Sequence, residues 1–221
     1  MYSKELVEKY TKHRLDFIET DEELFEPLAL IGIHGKNILD FGCGDGKHAL
    51  QLFDMGARTV SGIDISPDMI ELAQRRTKPG LEFHVADGSS IPFPEKSFDI
   101  VFSNFVIHYF KDARVPFAEI SRVLRTDGYF VGTFNIAKVQ TGHEHLYNTN
   151  MPIRLGSREQ EIIVQNLIKP KEEIESALSG SNLPILREKV LYHPNAVIDE
   201  LFVHKEHVTK YAILVIAQKI G

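Results

Sequence analysis

A chain of 221 residues with 43% apolar side chains can bury a proper core without disulfides or a structural metal. Lys and Arg number 25 against 31 Asp and Glu, a formal charge of -6, which argues against a phosphate-backbone partner. The single cysteine, Cys43, excludes an internal disulfide and a thiolate metal cluster. The opening "MYSKELVEKYTKH" carries charge early, and no stretch nears the about 18 consecutive apolar residues of a membrane span. A soluble cytoplasmic protein with no membrane or nucleic-acid partner is expected.

In chain order, residues 4–30 carry helical spacing through Leu6, Tyr10, Leu15, Phe17 and Ile18. Strands and helices then alternate. "NILDFG" reads as a buried strand, "KHALQLFDMG" as a helix stopped by Gly56, and "TVSGID" as a second strand. "SPDMIELAQRR" has Ser66 as N-cap and Pro67 at the first helical position, where its missing N–H costs nothing. "LEFHVAD" and "FDIVFSNF" give strands three and four, "VPFAEISRVL" an amphipathic helix, and "GYFVGTFNI" strand five. Strands separated by helices imply right-handed crossovers and a parallel sheet covered on both faces. Residues 137–160 read as polar and irregular, an insertion that can cover a substrate. "KPKEEIESALSGSNL" is helical, and "ILREKVLYH" and "KYAILVIAQKI" close the chain as an antiparallel hairpin. No internal repeat or low-complexity segment is present, so residues 1–221 read as one domain.

The chemistry concentrates in "ILDFGCGDGKHAL". Gly42, Gly44 and Gly46 follow a G-x-G-x-G spacing, and Lys47 stands where the dinucleotide fingerprint G-x-G-x-x-G has its third glycine. No G-K-[ST] follows, so a P-loop is excluded as well. A plain tight turn would need only one glycine. Acids close three consecutive strands: Asp40 before the loop, Asp64 in "SGIDIS" and Asp87 in "VADGSS". All three fall at the C-terminal edge of the sheet, where open α/β sheets bind ligands.

Together these motifs resemble the class I S-adenosylmethionine-dependent methyltransferases, in particular the small-molecule, ubiquinone/menaquinone-type branch. Asp40-Phe41-Gly42-Cys43-Gly44-Asp45-Gly46 matches the family's first motif, Asp64 and Asp87 its second and third signals, and "EISRVLRTDGYF" the following helix-turn-strand. Thr126-Asp127-Gly128 departs from the usual Lys-Pro-Gly-Gly turn. The resemblance covers about residues 36–136. It implies a doubly wound, Rossmann-like, seven-stranded, mostly parallel sheet with a C-terminal antiparallel β-hairpin. In its terms residues 1–35 are an N-terminal helical cap, 36–136 a donor-binding core, 137–168 a substrate cap, and 169–221 the terminal helix and hairpin.

The implied cofactor is S-adenosyl-L-methionine. Gly42, Gly44 and Gly46 let the backbone approach its methionyl part, and Asp40 attracts its ammonium, directly or through water. Asp64 accepts from the ribose hydroxyls, each charge-assisted bond contributing about 1.5–3 kcal/mol. Ile65 faces the adenine, Asp87 accepts from its amine, and the Gly88 N–H donates to a ring nitrogen. Ser103 joins the cofactor set, and Arg14 can pair with the methionyl carboxylate.

"SNFVIHYF" should line the methyl end, with Asn104 and Tyr109 toward the acceptor beside Tyr10 and Tyr147. Ser103-Asn104-Phe105-Val106 lacks the paired prolines that grip planar amino groups in DNA and protein amide methyltransferases, which disfavours those substrates. His108 suits either a general base near neutral pH or a packing residue in the substrate wall. The histidines at 143–145 and 204–207 form no H-E-x-x-H, and no metal is assigned.

The expected activity is methyl transfer to an O, N or C nucleophile of a small molecule, by a monomer or a homodimer. Two alternatives remain at this point: a non-catalytic sensor or accessory protein that binds the same donor, and a nicotinamide oxidoreductase, which the glycine spacing disfavours.

Overall fold

A computed structural model describes residues 21–139, 141–142, 147, 150–155, 162–167, 169–191 and 208–221. Its elements in chain order are α1 (Asp21–Ile31), β1 (Asn37–Phe41), α2 (Lys47–Asp54), β2 (Thr59–Asp64), α3 (Pro67–Gln74), β3 (Leu81–Val85) and β4 (Phe98–Asn104). A short 3₁₀ turn (Ile107–Tyr109) follows, then α4 (Arg114–Val123), β5 (Leu124–Val139), β6 (Asn150–Leu155), β7 (Ile162–Leu167), α5 (Lys171–Gly180), β8 (Ile185–Leu191) and β9 (Val208–Gln218).

Seven strands form one sheet in the order β3-β2-β1-β4-β5-β9-β8. The first five are parallel, and β9 runs antiparallel to both β5 and β8. This is the doubly wound, Rossmann-like sheet with a terminal hairpin that the sequence implied. Strand order reverses between β1 and β4, which opens a crevice at the carboxyl ends of the central strands.

Two apolar layers cover the faces, as the strands' near-continuous hydrophobicity requires. Leu24 and Leu28 of α1, Leu52 of α2 and Ile70 of α3 pack on one side against Ile38, Ile100 and Phe102. On the other, Phe117 and Ile120 of α4 and Ile174 of α5 pack against Leu39, Val101 and Phe130. Ser66 caps α3 as its position suggests, its hydroxyl accepting from Met69 N at 3.3 Å.

Two stretches differ from the sequence expectation. β5 is longer than "GYFVGTFNI", because Leu124 pairs with Phe98 ahead of a register shift and residues 137–139 extend along β9. The stretch read as irregular, residues 137–160, contains β6, which pairs antiparallel with β7 just beyond it, Asn150↔Leu167 through Leu155↔Ile162. Met151, Ile153 and Leu155 alternate with Pro152 and Arg154, a period-two pattern that the proline and flanking polar residues obscured.

Candidate functional site

The glycine turn follows β1 directly. Gly42 N and Cys43 N donate to Ile63 O at 2.8 and 2.9 Å, which ties the turn to β2. Gly42, Gly44 and Gly46 have φ of 77, 55 and 77°, left-handed values that glycine adopts without strain. A Cβ on Gly46 would stand 2.7 Å from the Phe83 ring, so its absence lets α2 settle on the sheet. A Cβ on Gly42 would meet Val106 at 2.2 Å. The space above Gly42 therefore belongs to the loop after β4, a close approach of protein to protein that the sequence did not reveal.

Asp64 closes β2 and holds the turn. Its Oδ2 accepts from Gly44 N at 3.0 Å and its Oδ1 from Ser66 N at 2.9 Å. Capping and ligand binding are compatible here, since two carboxylate oxygens offer about four lone-pair sites. Burial pushes the Asp64 carboxyl above the usual 3.8, against the lowering effect of those N–H groups. Ile65 beside it is 59% exposed and presents an apolar face at the strand end. Asp40 is buried at 1% exposure, paired in register with Gly62 and Phe102.

Cys43 is enclosed by this arrangement. Burial, then the charges of Asp40 and Asp64, hold its thiol well above the ordinary range, so it is not a nucleophile. The same carboxylates make the crevice anionic, a setting that favours a cationic ligand.

Past β3, Asp87 Oδ1 accepts from Ser89 N at 2.8 Å. Gly88 is seated so closely that a Cβ would meet Phe41 at 2.2 Å and Phe110 at 3.0 Å. At the end of β4 the Thr133 hydroxyl donates to Asn104 Oδ1, and it accepts from Phe105 N at 3.1 Å. Phe105 stands at φ 56°, a rare conformation for a bulky residue. From there the loop carries Val106 over Gly42, His108 into a buried position, and Tyr109 to the surface with its ring 4.5 Å from the His108 ring. The far end is tied by Lys169, a fully buried lysine whose Nζ donates to Lys111 O at 3.0 Å and pairs with Glu173.

The structure thus brings Asp40, Gly42, Gly44, Gly46, Asp64, Ile65, Asp87 and Gly88 to one edge of the sheet, with Asn104 at the end of β4 and Tyr109 in the turn that follows. Ser103 is different. It is fully buried next to the end of β4, opposite Gly132 and on the face shared with Val101. Tyr147 is half-buried in a turn. Tyr10, Arg14 and the histidines at 143–145 and 204–207 lie outside the described residues, among which no metal-binding cluster occurs.

Sequence reasoning passed over several residues that hold these loops. Arg76 donates through Nε to Asp45 O at 2.9 Å and through Nη2 to Asp45 Oδ2 at 3.1 Å. Glu119 and Arg122 do the same for the loop after Gly88. Their spacing of three on an amphipathic helix was a visible signal. Lys169, inside "KPKEE", reads as one more solvated charge and gave none.

Comparison with known proteins shows what the central part of the chain resembles. A family profile described as "Methyltransferase domain" matches residues 39–132, the stretch that carries the glycine turn and all three acids. Residues 39–132 are similar to a methyltransferase domain. A fatty-acid O-methyltransferase of Mycolicibacterium smegmatis is 38% identical over 103 residues, 46% of this chain and 38% of that protein. The chain therefore spans well under half the length of the curated relatives it matches. The crystal structure of a geranyl diphosphate C-methyltransferase of Streptomyces coelicolor, with S-adenosyl-L-homocysteine, superposes with a TM-score of 0.69 at 15% identity. That match covers 90% of this chain and 77% of that one. A (4+2)-cyclase, SpnF, superposes equally broadly, with a TM-score of 0.67 at 17% identity over 90% of this chain and 82% of that one. At such identities the superpositions establish the fold alone.

Proposed function

We propose that the chain is an S-adenosyl-L-methionine-dependent methyltransferase that acts on an O, N or C nucleophile of a small-molecule acceptor. The observation that carries this reading is the Asp64 carboxylate bonded to Gly44 N at 3.0 Å, because it joins the glycine turn and the ribose acid in one rigid unit. The donor set suits the ligand. Asp40 and Asp64 give the crevice negative charge for the ammonium and sulfonium, Ile65 offers the adenine an apolar face, and Asp87 and Gly88 supply its polar contacts.

Bound there, the cofactor supplies a methyl group on an already activated carbon, so alignment is most of what the protein must contribute. Asp64 would fix the ribose and with it the direction of the transferable methyl. The loop from Asn104 to Phe110, anchored at both ends, would set the distance to the acceptor. His108 is 1% exposed between the rings of Phe105 and Tyr109, which supports a packing role in that wall above one as base. Residues 137–168, with the β6–β7 pair, and the N-terminal segment carrying Tyr10 and Arg14 would cap the acceptor. A fatty-acid O-methyltransferase and a geranyl diphosphate C-methyltransferase match this chain by sequence or fold, which supports a small-molecule acceptor. Among the described residues no helix is long and apolar enough to cross a membrane. The charge of -6 supports the absence of a nucleic-acid partner, and a cytoplasmic protein, monomeric or homodimeric, fits the composition.

Calorimetry with S-adenosylhomocysteine against NAD tests the donor. Binding of the first and not the second is expected, and the reverse result would sink the reading. An acceptor screen of phenols, amines, quinone precursors and carboxylic acids, followed by homocysteine-product formation, then separates an enzyme from a non-catalytic binder.

A further inference from the structure

The loop after β3 presents Asp87 and Gly88 and then runs across α4, where one ion pair grips its backbone. Arg122 donates to Glu119 twice, from Nε to Oε1 at 2.8 Å and from Nη2 to Oε2 at 2.7 Å. Glu119 Oε2 also accepts from Ile91 N at 2.8 Å. Arg122 Nη2 donates to Ile91 O and Nη1 to Phe93 O, each at 2.8 Å, and the Arg122 carbonyl accepts from Lys96 N at 3.0 Å. The pair therefore satisfies both backbone groups of Ile91, three positions beyond Gly88. Ile91 is buried, and the Phe93 ring stacks edge-on against Phe98 at 5.1 Å. Between this anchor and the strand end, Asp87 fixes its own turn through Ser89 N and Ser90 N.

We propose that Glu119 and Arg122 are positioning residues for adenine recognition, setting where Asp87 and Gly88 meet the base. The inference rests on the donor reading above and adds residues that touch no ligand. Only a planar guanidinium can chelate a carboxylate while donating to two carbonyls on the loop, so a lysine with the same charge does not replace it. Both oxygens of Glu119 are engaged by Arg122, and Arg122 holds its carboxyl below the usual range, so the pair stays charged at neutral pH.

The test compares S-adenosylhomocysteine with S-inosylhomocysteine, whose base carries an oxygen where adenine has its amine. Calorimetry is run on the wild-type chain and on Arg122→Lys, Arg122→Met and Glu119→Gln, with the thermal midpoint of each as a control on folding. The wild type should prefer the adenosyl ligand. Arg122→Lys should weaken adenosyl binding about tenfold while changing inosyl binding little, so that the preference collapses. Glu119→Gln, the mildest change, should move the same way if Arg122→Met does not fold. Folded variants that keep the wild-type preference would overturn the proposal, as would equal losses for both ligands, which mark a purely structural pair. A wild-type chain that binds neither ligand would refute the donor reading instead, so the two failures are distinct.

Discussion

Asp64 carries more than any other residue in the crevice, and its protonation has a calculable sign. Its folded pKa lies above the 3.8 of an exposed aspartate because it is buried. The folded chain thus binds a proton at Asp64 more readily than the unfolded one. That contribution to stability is complete below the unfolded pKa and is lost as pH rises through the folded pKa. Ligand binding follows the opposite course, since a ribose needs the ionised acceptor. S-adenosylhomocysteine affinity should be full above the raised pKa and decline as pH falls through it, at a pH higher than an exposed aspartate would give. Asp64→Ala should weaken binding at least about tenfold and flatten that profile in calorimetry across the acid range. A second residue tests the turn before β5. Asp127 sits at φ 63° with its N–H donating to Lys219 O at 3.1 Å, the place where the family pattern has a glycine. Left-handed backbone costs a non-glycine residue about 1–2 kcal/mol, and aspartate tolerates it better than most. Asp127→Gly should raise stability by up to about 1 kcal/mol by urea denaturation, whereas a lower midpoint would show that the aspartate side chain does more than occupy the turn.

At the scale of elements, the segment from β4 to α4 is held like a bridge. Thr133 of β5 fixes its first pier and Lys169, at the exit of β7, its second. Thr133→Val keeps the shape and removes the hydroxyl, leaving Asn104 Oδ1 without that donor and Phe105 N with only the Thr133 carbonyl at 3.2 Å. The expected loss is about 1–3 kcal/mol, with Thr133→Ser near the wild type. Equal stability of the two variants would show that the hydroxyl does not hold the left-handed Phe105 in place. This bridge also shows what sequence could not supply. "SNFVIHYF" looked like a wall from its position at the fourth strand, and its order in the chain puts Asn104 at the end of β4 and Tyr109 in the turn that follows. Nothing local announces that Phe105 turns left-handed or that Val106 covers Gly42, because both depend on partners far away in the chain, Thr133 for the first and Gly42 for the second. The acids were legible for the opposite reason: parallel βαβ order alone delivers every strand end to the same edge. Ser103, next to last in β4, is fully buried, which alternation along a strand does not announce.

For the whole molecule, the fold follows from alternating strand and helix patterns, whereas the antiparallel pair β6–β7 was hidden by Pro152 among polar neighbours. The half that carries the glycine turn and the acids is therefore specified locally and the part with β6 and β7 by tertiary packing, and the profile match stops at residue 132, before β6 begins. A ligand that bridges β1, β2 and β3 should consequently stabilise the sheet as a unit. If S-adenosylhomocysteine binds only the folded chain, a concentration of about 100 times Kd adds about 2.7 kcal/mol. For a chain of this length each kcal/mol moves the melting midpoint by about 2–4 °C, so a rise of about 5–10 °C is expected. Asp64→Ala, binding about tenfold more weakly, should gain only about 1.4 kcal/mol at the same concentration, roughly half the shift. NAD should give no shift in either chain. A full rise in Asp64→Ala would mean that the ribose does not rest on Asp64. A rise with NAD in place of the adenosyl ligand would mean that the crevice holds a different nucleotide.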